Sequence, residues 1–141
     1  MRKRTHTHYI VIHCSATRED QGCTVEDIRH WHVVERHWSD IGYHWVIERS
    51  GLVQPGRSQD AIGAHVRGHN HDSIGICLVG GLSQDNLPED NFTQEQMLSL
   101  EMLVESLQLR YPSAKVVGHS FFNPYKACPV FSVEDWLEEL S

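Results

Sequence analysis

Short strand-like segments alternate with amphipathic helical segments along this chain, and this alternation restricts its fold more than any other feature. Segments rich in β-branched and aromatic side chains, which is typical of strands, are residues 8–14, the hairpin 43–53, and residues 73–79 and 115–117. Apolar residues at helical spacing follow capping residues over 25–36 after Thr24, from Thr93 to about residue 111, and from Ser132 onwards. Alternating strands and helices predict an α/β fold in which helices flank a central β-sheet.

The length of the chain, 141 residues, is that of one domain with one core. Neither a repeat nor a linker divides it, so we predict a single domain over residues 1–141, with residues 1–7 as a flexible N-terminal tail. Acidic residues outnumber basic ones by 19 to 12, and the basic residues are scattered except at positions 2–4. Direct nucleic-acid binding is not expected, because it requires a clustered basic face.

The start of the chain is charged and contains no apolar stretch of signal-peptide form. No segment approaches the ~20 apolar residues of a membrane span. We therefore expect synthesis in the cytoplasm of the host cell and no membrane insertion. The four cysteines are expected to be free thiols, because a domain of this size made without a secretion signal needs no disulfides.

Two histidines and one cysteine from distant parts of the chain form a potential metal-ligand set. His13 ends the first predicted strand, His119 follows the strand 115–117, and Cys128 comes nine residues later. A catalytic zinc site uses three protein ligands and leaves a position for water, whereas a structural site uses four. The residue types therefore predict an open zinc site, although a core histidine at position 13 and a small buried thiol at position 128 remain alternatives.

Strand alternation separates His13 from its neighbour Cys14. Successive side chains of a strand point to opposite faces, so His13 shares a face with Val11 while Cys14 shares the other with Ile12. Cys14 is accordingly predicted to be a core thiol and not a fourth ligand.

Lys126 lies two positions before Cys128 and would be on the same side of an extended segment. Hydrolysis at a zinc site requires stabilisation of a tetrahedral oxyanion, which a lysine beside a metal ligand can provide. The alternative is a solvated surface lysine.

Several short blocks of the chain form a recognisable set. They are Ile12-His13-Cys14-Ser15-Ala16-Thr17, Ile28-Arg29-His30-Trp31-His32, residues 40–47, Gly56-Arg57, residues 70–81, Gly118-His119 and Lys126-Ala127-Cys128-Pro129. Over about positions 8 to 136 these blocks resemble the zinc-dependent N-acetylmuramoyl-L-alanine amidases, and most closely the bacteriophage T7-type lysozymes. The peptidoglycan recognition proteins are more distant members of the same superfamily.

The resemblance implies a mixed central sheet and one Zn²⁺ ion held by His13, His119 and Cys128, with an open coordination position for water. It also implies catalytic assistance from Tyr43 and Lys126. The bond cleaved would be the amide between N-acetylmuramic acid and the L-alanine of the stem peptide.

The resemblance also places His65 and Asn70 in the substrate groove near the metal, in a glycine-punctuated stretch suited to a binding loop. Tyr43 could donate a hydrogen bond from its hydroxyl, or could be an aromatic cap on the core. His44 is predicted to be structural because strand alternation points it away from Tyr43. His69 and His71 are predicted not to bind metal.

One block departs from the family pattern. Many relatives carry Arg-Asp after the second ligand histidine, and Ser120-Phe121 stands there in this chain. Orientation of His119 by that acidic residue is therefore absent.

Two functional interpretations from different classes follow. The first is a peptidoglycan amidase, a phage endolysin that reaches the cell wall after release from the cytoplasm and works as a monomer. The second is a non-catalytic module that binds muropeptides, but the retention of Cys128, Tyr43 and Lys126 favours the enzyme. An additional regulatory role through an RNA polymerase partner is a third hypothesis.

Overall fold

A five-stranded sheet forms the centre of the structure, a computed structural model that describes residues 1–141. The strands along the chain are β1 (Tyr9–Cys14), β2 (Thr17–Arg18), β3 (Trp45–Ile47), β4 (Val53–Pro55), β5 (Ser73–Leu78), β6 (Gly81–Leu82) and β7 (Lys115–Gly118). The helices are α1 (Val25–His30), α2 (Gln94–Arg110) and α3 (Val133–Leu140). The sheet order is β4-β3-β5-β1-β7, and β2 pairs separately with β6.

The central strand β1 pairs in parallel with both β5 and β7. β3 is parallel to β5, whereas β4 returns antiparallel to β3 in the predicted hairpin. The sheet is therefore mixed, and the predicted α/β class with a central sheet flanked by helices is confirmed. Because β1 and β7 run in the same direction, the residues that follow them meet at one edge of the sheet.

The larger part of the core lies between one face of the sheet and helices α2 and α3. Fully buried side chains of β1 and β5 pack there against the apolar faces of the two helices. The members at the centre of this layer are Ile10, Ile12, Ile74, Ile76, Leu100, Val104, Val133 and Trp136. No helix of the fold combines the length and the apolar character that crossing a bilayer requires.

Helix α1 covers the opposite face of the sheet, together with Ile41. The predicted capping box is present, because Thr24 accepts from the backbone of Asp27 and Asp27 accepts from the backbone of Thr24. The helix predicted over 25–36 is α-helical only to His30 and continues as a π-helical segment, Trp31–Glu35. His13 lies on this same face, because it is the register partner of Cys77, which belongs to this layer.

The N-terminal residues form hydrogen bonds with the loop 59–62. Arg4 donates from its backbone N–H to the Asp60 carbonyl at 2.7 Å, and Ile62 donates to the Arg2 carbonyl at 2.9 Å, while the flexibility that we expect of residues 1–7 stays a prediction. The Arg4 guanidinium also donates to the carbonyls of Gln59 and Ala61. These carbonyls come into reach only in the folded chain, and the hydrogen bonds to them hold residues 2–4 against the loop 59–62.

A buried amide joins α2 to the sheet. Gln96 has no exposed surface, and its Nε2 donates to the carbonyls of Ile47 and Val79 at 3.1 and 2.9 Å. Its Oε1 accepts from the backbone N–H of Thr93, which completes the capping box of α2. Gln96 thus provides hydrogen-bond partners for backbone groups at the end of β3, in the segment after β5 and at the start of α2.

We expect Gln96→Met to lower the free energy of unfolding by about 1–3 kcal/mol, because the buried carbonyl of Val79 loses its donor. Urea unfolding measures the effect, and the slope of the free energy of unfolding against urea concentration should stay unchanged. Gln108→Met, on an exposed turn of the same helix, is the matched control and should change the value by less than about 0.5 kcal/mol. Equal effects of the two substitutions would show that the hydrogen bonds from Gln96 to the sheet do not contribute to stability.

Candidate metal centre

Parallel pairing of β1 and β7 brings the two predicted ligand histidines together. Ile12 is the register partner of Gly118, so His13 and His119 follow at the same level of the sheet. Their ring centroids are 4.6 Å apart. His13 is only 2% exposed, whereas His119 is partly exposed at the end of its strand.

Cys128 reaches the two histidines because its segment folds back on the ends of both strands. Ser120 donates from its backbone N–H to the Cys128 carbonyl at 3.1 Å, and Cys14 donates from its backbone N–H to the Cys128 Sγ at 2.6 Å. The potential ligand atoms of His13, His119 and Cys128 all lie within 4.8 Å of one another. They are the one cluster of three or more such residues in the structure.

The donor set fits a zinc ion by its chemistry. Imidazole nitrogens and a thiolate are the ligands that zinc prefers, and three of them make an open site. Burial, with smaller effects of His119 and His44, lowers the pKa of His13 well below its usual value, so its ring is neutral at neutral pH. Contact with the Cys14 thiol and burial raise the pKa of Cys128, so a metal ion that binds there displaces a proton.

Cys14 has a role that the sequence reasoning missed. Its thiol is not in the ligand cluster, as strand alternation predicted, but its backbone N–H points at the Cys128 sulfur. A hydrogen bond of this kind stabilises a thiolate. Nothing in the sequence signals it, since every residue except proline carries the same backbone donor.

Tyr43 lies just before β3, with its ring centroid 5.1 Å from that of His13. Burial, supported by the neighbouring Cys77, Cys128 and Cys14, raises the pKa of its phenol well above the usual value. The hydroxyl is therefore protonated at neutral pH and can donate a hydrogen bond beside the cluster.

Lys126 is exposed, and its backbone N–H donates to the Asn123 carbonyl at 3.0 Å. Burial and the charge of Lys126 lower the pKa of His119. The charge of Lys126 thus acts on His119, a member of the cluster, and the catalytic role of Lys126 stays a prediction.

His65 contacts His13 directly. Its Nδ1 lies 2.8 Å from the Nε2 of His13, and its Nε2 lies 3.2 Å from the Oγ of Ser73. Both ring nitrogens of His65 thus have protein partners. We predicted His65 as a substrate-binding residue; that role stays a prediction, while the contact with His13 is one that the sequence reasoning missed.

Asn70 organises the loop that carries His65. Its Oδ1 accepts from the backbone N–H groups of His65 and Val66, both at 2.8 Å. This arrangement is a local turn made by a side-chain carbonyl. Contact of Asn70 with substrate likewise stays a prediction.

Three further histidines have partners within the fold. Gly75 donates its backbone N–H to Nδ1 of His44 at 3.0 Å, and Nε2 of His44 donates to the Ala61 carbonyl at 2.8 Å, which confirms a structural role. Burial lowers the pKa of His44 to about 4. Nδ1 of His69 and Nε2 of His71 lie 3.3 and 3.9 Å from carboxylate oxygens of the buried Asp72, and that these two histidines bind no metal stays a prediction.

Comparison with known proteins adds independent evidence. The sequence model of the N-acetylmuramoyl-L-alanine amidase family matches residues 3–131. The endolysin of Klebsiella phage KP32 is 45% identical over 137 residues, which are 97% of this chain and 89% of the relative. The endolysin of Escherichia phage T7 is 44% identical over 138 residues, which are 98% of this chain and 90% of the relative.

A solved structure has the same fold along nearly the whole chain. It is the endolysin N-acetylmuramoyl-L-alanine amidase LysCS from Clostridium intestinale, with a TM-score of 0.81 and 28% sequence identity over 96% of this chain and 84% of that one. The family match, the relatives and the fold agree with the resemblance that the sequence blocks indicated. This chain belongs to the N-acetylmuramoyl-L-alanine amidase family, and it is an amide-hydrolysing enzyme.

Proposed function

We propose that this chain is a zinc-dependent phage endolysin that cleaves the amide between N-acetylmuramic acid and the L-alanine of the peptidoglycan stem peptide. The observation that carries the proposal is the convergence of His13, His119 and Cys128 in a member of an amidase family. The endolysins of phages KP32 and T7, which match almost the whole chain, support the biological role. The enzyme would act on the wall after release from the cytoplasm.

Zinc is the cofactor in this proposal, held by the two imidazoles and the thiolate. Such an ion polarises the scissile carbonyl and activates a water molecule for attack. The residues contribute what the ion requires: a neutral His13, kept so by burial, and a sulfur that accepts the Cys14 backbone N–H.

Lys126 stabilises the negative charge that develops on the carbonyl oxygen in the transition state. Its cationic charge acts on His119, and its exposure suits a groove that a polymer must enter from solvent. An ammonium near the reacting oxygen is worth more in the transition state than in the ground state, which is the condition for accelerating the reaction.

Tyr43 donates its phenolic hydrogen to the reacting oxygens. Its raised pKa keeps the hydroxyl a donor across the neutral pH range, and its ring contacts His13 on the same side of the sheet. A purely muropeptide-binding role would require neither this donor nor Lys126.

Product analysis tests the reaction itself. Digestion of purified peptidoglycan should release stem peptides with a free L-alanine amino group and leave the glycan strands uncut, as measured by mass spectrometry. New reducing sugar ends would identify a glycosidase, and an undigested wall that retains bound protein would identify a binding module.

We expect Cys128→Ser to leave a folded protein with little bound zinc and almost no amidase activity, because the hydroxyl of serine is a much poorer zinc ligand than a thiolate. Metal content per chain and peptidoglycan turnover are the measurements. Cys23→Ser, which removes another free thiol, is the control and should retain both. In the wild type, a chelator should abolish activity and added zinc should restore it; a Cys128→Ser variant with full activity would refute the ligand assignment.

We expect Lys126→Ala to lower kcat by about 10²- to 10³-fold, which is the typical cost of losing one group that stabilises an oxyanion. Zinc content should stay near that of the wild type, because Lys126 is not a ligand. Lys115→Ala, at the opposite end of β7, is the matched control with unchanged turnover. If the variant lost zinc but its zinc-loaded form kept the wild-type kcat, Lys126 would have a structural role.

A further inference from the structure

A chain of hydrogen bonds leads from His13 into the interior of the protein, and the catalytic groups proposed above do not account for it. Nε2 of His13 lies 2.8 Å from Nδ1 of His65, and Nε2 of His65 lies 3.2 Å from Oγ of Ser73. Ser73 then donates from its Oγ to the carbonyl oxygen of His69 at 2.6 Å. The series of hydrogen bonds thus ends at a backbone carbonyl oxygen, which can only accept a hydrogen bond.

This end point determines the direction of every bond in the chain. The Ser73 hydroxyl has one hydrogen, which is donated to the His69 carbonyl, so toward His65 its oxygen can only accept. A neutral His65 therefore carries its proton on Nε2 and has a lone pair on Nδ1. That lone pair accepts from His13, whose own proton must then be on Nε2. Nδ1 is the nitrogen of His13 that is left with a lone pair.

Rigid structure holds the members of this chain in place. Ser73 has no exposed surface and is the first residue of β5, where it is the register partner of Tyr9 in β1. The ring of His65 lies against Gly75 so closely that a Cβ at this position would be 2.6 Å from its Cγ. Only glycine at position 75 therefore leaves room for the ring, which lies directly against the strand.

We infer that Ser73 and His65 are positioning residues that determine which nitrogen of His13 is free to bind the metal. The inference rests on the metal site proposed above. A metal-binding histidine needs its other ring nitrogen in a hydrogen bond that selects the tautomer and the ring orientation, and such partners affect metal affinity by about 10- to 100-fold. Here the partner is a second histidine whose own tautomer is selected by a buried serine.

The tautomer can be observed without metal or substrate. Long-range ¹H–¹⁵N correlation spectra of the ¹⁵N-labelled, metal-free protein distinguish a proton on Nε2 from one on Nδ1, and a His13→Gln spectrum identifies the signals of His13. We expect His13 to carry its proton on Nε2 in the wild type. Ser73→Ala should produce a mixture of tautomers, and Ser73→Thr, which keeps a hydroxyl, should restore the wild-type pattern.

Zinc affinity provides the second measurement. Titration of zinc ion alone against a competing chelator should show binding about tenfold or more weaker in Ser73→Ala than in the wild type. Ser99→Ala is the matched control, because Ser99 donates an equally short hydrogen bond to the Gly51 carbonyl in a distant part of the fold. The control should bind zinc like the wild type.

A wild-type His13 with its proton on Nδ1 would overturn the inference, as would a Ser73→Ala protein with unchanged tautomer and unchanged zinc affinity. The wild-type spectrum decides the first point even if the variants are unstable. A wild type that has the Nε2 proton but binds no zinc would refute the zinc proposal and leave the tautomer assignment supported.

Discussion

Parallel pairing of β1 with β7 is the constraint on which the candidate site depends. The register of Ile12 with Gly118 leaves His13 and His119 side by side at the carboxyl ends of neighbouring strands. The Cys128 segment is then held against this edge by backbone hydrogen bonds that involve Cys14 and Ser120. Since a strand end presents side chains on a rigid support, three ligands from distant parts of the chain meet without a dedicated metal-binding loop.

Exclusion of water sets the chemical state of the groups around this edge. Burial lowers the pKa of His13 and His65 and raises that of Tyr43. Each shift favours the neutral form, because a charge is disfavoured where water cannot solvate it. The imidazoles thus retain lone pairs and the phenol remains a donor, and these are the states that the proposed metal binding and catalytic roles require.

Periodic features were predictable from the sequence because their physical cause is local. Strand alternation correctly separated His13 from Cys14, and the capping box at Thr24 and the helix cap at Thr93 are present as predicted. Features that depend on contacts with residues distant in the sequence were less predictable. The π-helical segment after α1 differs from the predicted regular helix, and the hydrogen bond of Arg4 to Asp60 was not predicted.

The sequence by itself determined the α/β class, the faces of the strands and the residue types that predict a zinc site, since alternation, capping and ligand chemistry act between near neighbours or belong to single side chains. Only the tertiary structure decided how these residues work together. The backbone donor of Cys14 at the Cys128 sulfur and the chain from His13 through His65 to Ser73 join residues far apart in the sequence. Contacts of this kind have no periodic signature, because they exist only where the packing of the sheet brings the strands and loops together.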